Sequence, residues 1–191
     1  MNFIDFFEQF LRNPAQTGAV VASSTRLCQL MVEEAGVPKA QIVMEFGTGT
    51  GSVTREILRQ KRSTANFIGF EINEAFAEAT RKRCPGAEII SACATTAVDV
   101  LQQRQLQHCD AIVSGLPWAA FSNDLQQRLL IAANDALRPG GIFVTFAYVH
   151  GRPLHSARRF HRQLKQTFTV VKKSEIVWGN VPPAMVYIAH K

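Results

Sequence analysis

Residues 42–52, I-V-M-E-F-G-T-G-T-G-S, constrain this chain more than any other stretch. Ile42-Val43-Met44 is short and apolar enough for a buried parallel strand. Glu45 closes that run, and Gly47, Gly49 and Gly51 follow at every second position. A helix then opens at Val53-Thr54-Arg55-Glu56-Ile57-Leu58 and runs to about Lys61. Strand, glycine turn and helix make the first half of a βαβ unit, whose turn lets a nucleotide-like ligand approach bare backbone. The dinucleotide fingerprint G-x-G-x-x-G is not met, because Ser52 stands at its third glycine position.

A second acidic residue strengthens the reading. Phe67 to Phe70 is an apolar strand, and Glu71 ends it twenty residues after Gly51. A carboxylate there can accept hydrogen bonds from both hydroxyls of a ribose. The pattern E-x-G-x-G-x-G resembles the first motif of class I S-adenosylmethionine (SAM) methyltransferases. The resemblance implies that Gly47, Thr48, Gly49 and Gly51 pack against the methionine part of SAM. It implies that Glu45 places the ammonium, through water or directly, and that Glu71 and Ile72 border the ribose. Cys93, Ala94 and Ser114 complete the implied cofactor set, S-adenosylhomocysteine (SAH) is the implied product, and no metal is called for.

At 191 residues the chain suits one domain, 1–191, with a sizeable core. Residues 1–40 are expected to form an N-terminal helical lid or membrane-contact segment, and 41–191 the catalytic core. No apolar run reaches the roughly 18 residues of a spanning helix, and no basic n-region with a cleavage site marks a secretory signal. Cys28, Cys84, Cys93 and Cys109 lack zinc or C-x-x-C spacing and read as reduced thiols of a cytosolic protein. The net charge of +6 favours a polyanionic partner, either nucleic acid or an anionic bilayer.

Along the chain, Ser23 or Ser24 caps a helix that turns Leu27, Leu30 and Met31 inward, and Gly36-Val37-Pro38 stops it. Asn73 caps a helix with Phe76, Ala79 and Thr80 inward, ending near Cys84. Glu88–Ser91 is a third strand, Val98–Leu106 a short helix and Asp110–Ser114 a fourth strand. A long helix from Asn123 or Asp124 reaches Leu137, and Arg138-Pro139-Gly140-Gly141 turns into a fifth strand, Ile142–Tyr148. A helix over 153–166 precedes two final strands, 169–177 and 184–190, read as an antiparallel edge. Alternating strands and helices predict an α/β fold: a Rossmann-like, seven-stranded, mostly parallel sheet covered on both faces, with its site at the carboxyl ends of the strands.

Several segments go beyond a generic methyltransferase: N-P-A-Q-T-G-A-V-V-A-S-S (13–24), R-C-P-G-A-E-I-I (83–90), D-A-I-V-S-G-L-P-W (110–118), L-R-P-G-G-I-F-V-T-F-A-Y (137–148) and N-V-P-P-A (180–184). Together they resemble the bacterial phospholipid N-methyltransferases, which methylate phosphatidylethanolamine towards phosphatidylcholine. The likeness implies that Ser114 and the carbonyls of Gly115 and Leu116 orient the acceptor amine. Tyr148 would take a proton through water or hydrogen-bond the headgroup, and Trp118 would offer an aromatic face to the methylated cation. Trp178 could offer another such face, and core packing, the alternative for both, suits Trp178 better than Trp118. One departure stands out: where the family has G-D-A after the third strand, this chain has Ala92-Cys93-Ala94, and a thiol is a poor acceptor for the adenine amino group.

Two further stretches bear on partners. Phe3, Phe6, Phe7 and Phe10, with Ile4 and Leu11, share one arc of about 160° on an amphipathic helix over 1–12. From Arg152 to Lys173 no acidic residue occurs. There Leu154, Ala157, Phe160, Leu164 and Phe168 form an apolar stripe, opposite Arg158, Arg159, Arg162 and Lys165. Cations near an anionic bilayer contribute about 1 kcal/mol each. The expectation is therefore a cytoplasmic enzyme held peripherally on the inner face of the cytoplasmic membrane, drawing in a phospholipid substrate. The more distant resemblance to rRNA adenine dimethyltransferases keeps an RNA adenine N6-methyltransferase as an alternative. The absence of an Asn-Pro-Pro-Tyr-type motif and of an RNA-binding appendage argues against nucleic acid. Cys93 motivates a third reading, a SAM- or lipid-binding module without turnover. The sequence leaves the oligomeric state open.

Overall fold

The computed structural model describes residues 23–151 and 153–191. The Phe-rich segment with Phe3, Phe6, Phe7 and Phe10, and the residue Arg152, lie outside the described residues. Six α-helices and seven strands are described: α1 Thr25–Glu34, β1 Ile42–Phe46, α2 Ser52–Gln60, β2 Asn66–Phe70, α3 Glu74–Arg83, β3 Glu88–Ile90, α4 Ala97–Gln103, β4 Cys109–Ser114, α5 Asn123–Ala136, β5 Leu137–Tyr148, α6 His155–Thr167, β6 Val170–Lys173 and β7 Ala184–His190. Local chemistry sets several boundaries. Ser24 and Asn73 cap α1 and α3 by accepting from Leu27 N and Phe76 N. α5 begins at Asn123, as expected, and the hydroxyl of Ser122 caps it by accepting from Leu125 N. Gly36, at φ 70°, takes the left-handed turn that ends α1.

All seven strands form one sheet in the order β3-β2-β1-β4-β5-β7-β6. β1 to β5 pair in parallel, and β7 runs antiparallel between β5 and β6. The expected antiparallel ending is present, but only Val170–Lys173 is continuous strand, with a lone bridge from Val177 to Ala184 further on. Likewise Arg138–Gly141 is not a free turn. It lies within β5, whose register to β4 slips between the Cys109–Leu137 and Ala111–Ile142 pairs.

The period of two along each strand sorts its residues between two cores. Val43, Ala111, Val113, Val144 and Val186 pack with α1 and α2 through Leu27, Met31, Val53 and Ile57. Met44, Phe46, Ile112, Phe143 and Tyr187 pack on the other face with Leu129, Leu130, Phe160 and Leu164 of α5 and α6. In α3 the inward residues are Ala77 and Thr80; Ala79, expected inward, is exposed because it falls one position off that face. Chain connections leave β1 in one direction for β2 and arrive at β4 on its other side. A crevice opens at such a reversal, beyond the carboxyl ends of β1 and β4.

Candidate active site

The glycine loop fills one side of that crevice. Gly47, Gly49 and Gly51 have φ of 80°, 52° and 82°, a region costly for other residues. Hydrogen bonds hold the loop from below. Gly47 N and Thr48 N both donate to Phe70 O, at 2.8 and 3.1 Å, and Gly49 N donates to Glu71 Oε2 at 2.9 Å. Thr80 Oγ1 donates to Gly49 O at 2.8 Å, and Arg83 Nη1 to Thr50 O at 2.6 Å. Gly51 precedes α2 without a side-chain cap, so the first N–H groups of that helix face the loop.

Two carboxyl groups lie at the loop. Glu71 is buried; its Oε1 accepts from Asn73 N at 2.9 Å, and burial raises its pKa against those backbone donors. Glu45 is fully buried and lies inside β1 rather than ending it. The alternation that sends Met44 and Phe46 to the α5 side turns Glu45 towards α2, where Thr54 Oγ1 donates to its Oε2 at 2.7 Å. Its other oxygen, Oε1, and the hydroxyl of Thr48 have no hydrogen-bond partner. Loss of water on burial pushes the Glu45 carboxyl up to about 8. Such a buried, half-satisfied acid suits a ligand that brings positive charge and hydrogen-bond donors, as the amino-acid end of SAM does.

The second loop, Gly115–Trp118, leaves β4 and presses directly on the first. Gly115 N donates to Phe46 O at 2.9 Å, and a Cβ on Gly115 would stand 2.7 Å from Gly47 O. A Cβ on Gly47 would meet Leu116 Cδ2 at the same distance. Beside this contact, Ile72, Cys93, Ala94, Leu116 and Leu129 line a narrow slot of about 20 Å³ with Glu71. Four of the residues expected around the donor's nucleoside, Glu71, Ile72, Cys93 and Ala94, therefore do come together. Cys93 contributes a half-buried thiol, while its carbonyl is taken by Thr96.

A much larger cavity, about 840 Å³, opens on the far side of Leu116, which lines both spaces. Its walls are mostly apolar and come from the Gly115–Ala120 loop, the end of β5, α6, and Lys173 and Tyr187 of the sheet edge. Among the described residues no aspartate or glutamate lines it. Tyr148 lies there between Phe146, edge-on at 5.3 Å, and His150, stacked at 5.7 Å. Burial raises the pKa of its phenol, which leaves it a hydrogen-bond donor at neutral pH and a poor proton acceptor.

Several sequence expectations need correction here. Ser114 is fully buried; its hydroxyl accepts from Trp118 Nε1 at 3.1 Å and from Leu116 N at 3.4 Å, so it shapes the loop. The carbonyl of Leu116 is already bonded to Trp118 N. Trp118 borders the cavity but is buried, stacked on Phe160 at 4.6 Å. Trp178, expected in the core, is 70% exposed. Arg159 does not belong to a free cationic face: it donates to Gln126 Oε1 at 3.1 Å and to Phe121 O at 3.0 Å, bridging α6 to α5 and its preceding loop. Arg158 and Arg162 are exposed, and Arg158 borders the cavity. Of the apolar stripe, Phe160, Leu164 and Phe168 are core, whereas Leu154 and Ala157 line the cavity. Phe146, His150, His161 and Tyr187 were not singled out from sequence. Tyr148, at the end of a strand, and Lys173, flanking the basic stretch, were the residues of that wall with a sequence signal.

The sequence pattern of the methyltransferase domain family matches residues 43–141. The chain belongs to that family. Solved structures agree on the fold of this methyltransferase. The O-methyltransferase from Bacillus cereus in complex with SAH superposes with a TM-score of 0.70 at 15% identity, over 97% of this chain and 90% of that one. TomG, an O-methyltransferase from Streptomyces achromogenes in complex with SAM, gives 0.67 at 16% identity, over 98% and 90%. The fold is thus the class I SAM-dependent one, and SAM is the methyl donor. By sequence, the methyltransferase is 28% identical to the ornithine lipid N-methyltransferase of Singulisphaera acidiphila, over 97% of this chain and 94% of that protein. It is 28% identical to ribosomal RNA small subunit methyltransferase A of Thermotoga petrophila, over 53% of this chain and 37% of that one.

Proposed function

We propose that this methyltransferase transfers the methyl group of SAM to the amine of a membrane lipid. The observation that carries the reading is the apolar cavity of about 840 Å³ that adjoins the glycine-loop slot at Leu116. A lipid needs a large greasy wall beside the donor, and this is one. Phosphatidylethanolamine, expected from the sequence resemblance, is one acceptor. The amine of an ornithine lipid is the second, favoured by the near full-length likeness to the Singulisphaera enzyme.

SAM supplies an electrophilic methyl on a good leaving group, so this chain's work is to bind, align and dehydrate. Alignment of two bound reactants can supply about 7–11 kcal/mol of a barrier. The amine must enter neutral. A primary ammonium has a pKa of roughly 10, and an environment without carboxylates and with cations nearby lowers it. The cavity has that character: among the described residues Arg158 and Lys173 border it and no acid does. Tyr148 donates a hydrogen bond to the headgroup. His150 is stacked on the Tyr148 ring at 5.7 Å and holds it in place. The free carbonyl of Gly115 orients the amine, while Ser114 and Trp118 hold the loop that presents it.

The proposal includes a peripheral position on an anionic membrane surface, at its cytoplasmic face. No helix among the described residues is long and apolar enough to cross a membrane, and Arg158, Arg162, Lys165, Lys172 and Lys173 are exposed on one stretch of chain.

The test is transfer of labelled methyl from SAM to detergent-dispersed lipid, with phosphatidylethanolamine and ornithine lipid assayed separately and ribosomal RNA as a third acceptor. Label in a lipid extract is the expected result. SAM binding with label in neither lipid, or label confined to RNA, overturns the reading.

A further inference from the structure

The chain has two tryptophans, and they sit in opposite environments: Trp118 is 3% exposed and Trp178 is 70% exposed. Trp178 shares the turn between β6 and β7 with Val181, which is also 70% exposed. That turn is firmly held. Ser174 N donates to Val186 O at 2.9 Å and Val177 N to Ala184 O at 2.7 Å. Asn180 is buried; it donates to Pro182 O at 2.7 Å and accepts from Ser24 N at 2.9 Å, which ties the turn to the start of α1. The N-V-P-P-A segment therefore fixes a backbone that displays two large apolar side chains outward.

The turn adjoins one wall of the acceptor cavity. Val149 lines the cavity and donates to Pro183 O at 2.9 Å; Tyr148 pairs with Ala184 across the sheet. Leu154, 54% exposed, adds a third apolar side chain on the cavity's rim. Arg158 and Lys173 line the same cavity, and Glu175 is the single acidic residue of the turn. An indole beside an aliphatic side chain, with cations on the neighbouring cavity wall, matches the interface of an anionic bilayer, where tryptophan concentrates.

We propose that the Trp178–Val181 turn inserts its apolar side chains into the headgroup–acyl boundary of an anionic bilayer and seats the cavity mouth on the membrane. This rests on the lipid-acceptor reading above and extends it to a specific anchor. A rigid wedge beside the cavity wall gives a lipid headgroup a path into the cavity that does not cross bulk water.

Fluorescence tests it directly. Wild type and Trp178→Phe are titrated with vesicles of phosphatidylglycerol and phosphatidylethanolamine, with and without acyl-brominated lipid. In wild type the emission should shift to the blue and be quenched by the bromines. Trp178→Phe, which keeps only Trp118, buried on the cavity wall, should lose the blue shift and most of the quenching. A double variant, Trp178→Ala with Val181→Ala, should bind vesicles at least about a hundredfold more weakly, the scale expected for losing two apolar side chains from a lipid contact. It should still methylate detergent-dispersed lipid at the wild-type rate. Flotation of wild type on vesicles without quenching of Trp178 overturns the proposal, as does protection of Trp178 by self-association in the absence of lipid. Activity on dispersed lipid without any vesicle binding also overturns it and leaves the lipid reading standing; no activity on any lipid removes that reading first.

Discussion

The two sides of the crevice are built on different plans. On the donor side, backbone makes the surface: three left-handed glycines, five hydrogen bonds beneath them, and a close approach of Gly47 to Gly115. On the acceptor side, side chains from the β4 loop, the end of β5, α6 and the sheet edge converge on a wide cavity. Backbone sites demand particular residue types at fixed spacing, because only glycine tolerates those angles and contacts. Side-chain walls demand only that something apolar of suitable size arrive from somewhere. A donor site common to a family and an acceptor site free to vary is the arrangement this contrast produces.

The largest effect that would sharpen the contrast is at the contact of the two loops. Gly115→Ala places a methyl 2.7 Å from the carbonyl of Gly47, and backbone cannot move aside cheaply. SAH affinity should fall at least a hundredfold and stability by about 2 kcal/mol, the scale of forced backbone strain. Calorimetric titration and thermal melting measure both. A near-normal affinity would mean that the donor side tolerates movement and is not fixed by backbone.

Glu45 comes next. Its carboxyl rises from 4.5 to about 8 in the folded protein. Below 4.5 both folded and unfolded states hold the proton; between 4.5 and 8 the folded state alone retains it. The sign follows: without ligand, stability declines as pH rises through that window. Glu45→Gln should flatten the decline, melt higher than wild type at pH 8 and bind SAM about tenfold more weakly, having lost a charge-assisted partner. In wild type, SAM binding at pH 7 should release protons, seen as a heat of binding that varies with buffer ionisation enthalpy. Proton uptake, or none, would place the ammonium elsewhere.

Neighbouring arginines on α6 separate architecture from acceptor recognition. Arg159→Met removes two hydrogen bonds to Gln126 and Phe121 and should cost about 1–3 kcal/mol by chemical denaturation. Arg158→Met should leave stability within about 0.5 kcal/mol and raise KM for lipid. Identical behaviour of the two would dissolve the distinction between bridge and rim. The smallest effect is expected at Tyr148. Phenylalanine keeps the contact with Phe146 and removes the hydroxyl, so kcat should fall about tenfold, one hydrogen bond's worth, with SAM affinity unchanged.

What the sequence disclosed follows the same division. The strand–glycine–helix unit, Glu71 and the parallel order were legible because local periodicity and glycine spacing encode them. Ser24 and Asn73 as caps were legible for the same reason. Glu45 was placed correctly in the chain but not in its role beside Thr54, since the choice of face depends on the whole sheet. Trp178 misled because hydrophobicity alone assigns tryptophan to a core, and nothing local says that Asn180 would hold its turn at the surface. The cationic run from Arg152 to Lys173 read as one uniform face, yet packing on α5 recruits Arg159 inward.

The placement of β7 has a consequence for biosynthesis. Lys173 and Tyr187 form part of the cavity, yet Tyr187 belongs to the strand that threads between two earlier ones. The donor slot is lined by residues within 47–129, whereas the acceptor chamber is complete only once β7 has paired between β5 and β6. Any fusion or truncation that hinders the final pairing should yield protein that still grips SAM and has nowhere to put the methyl.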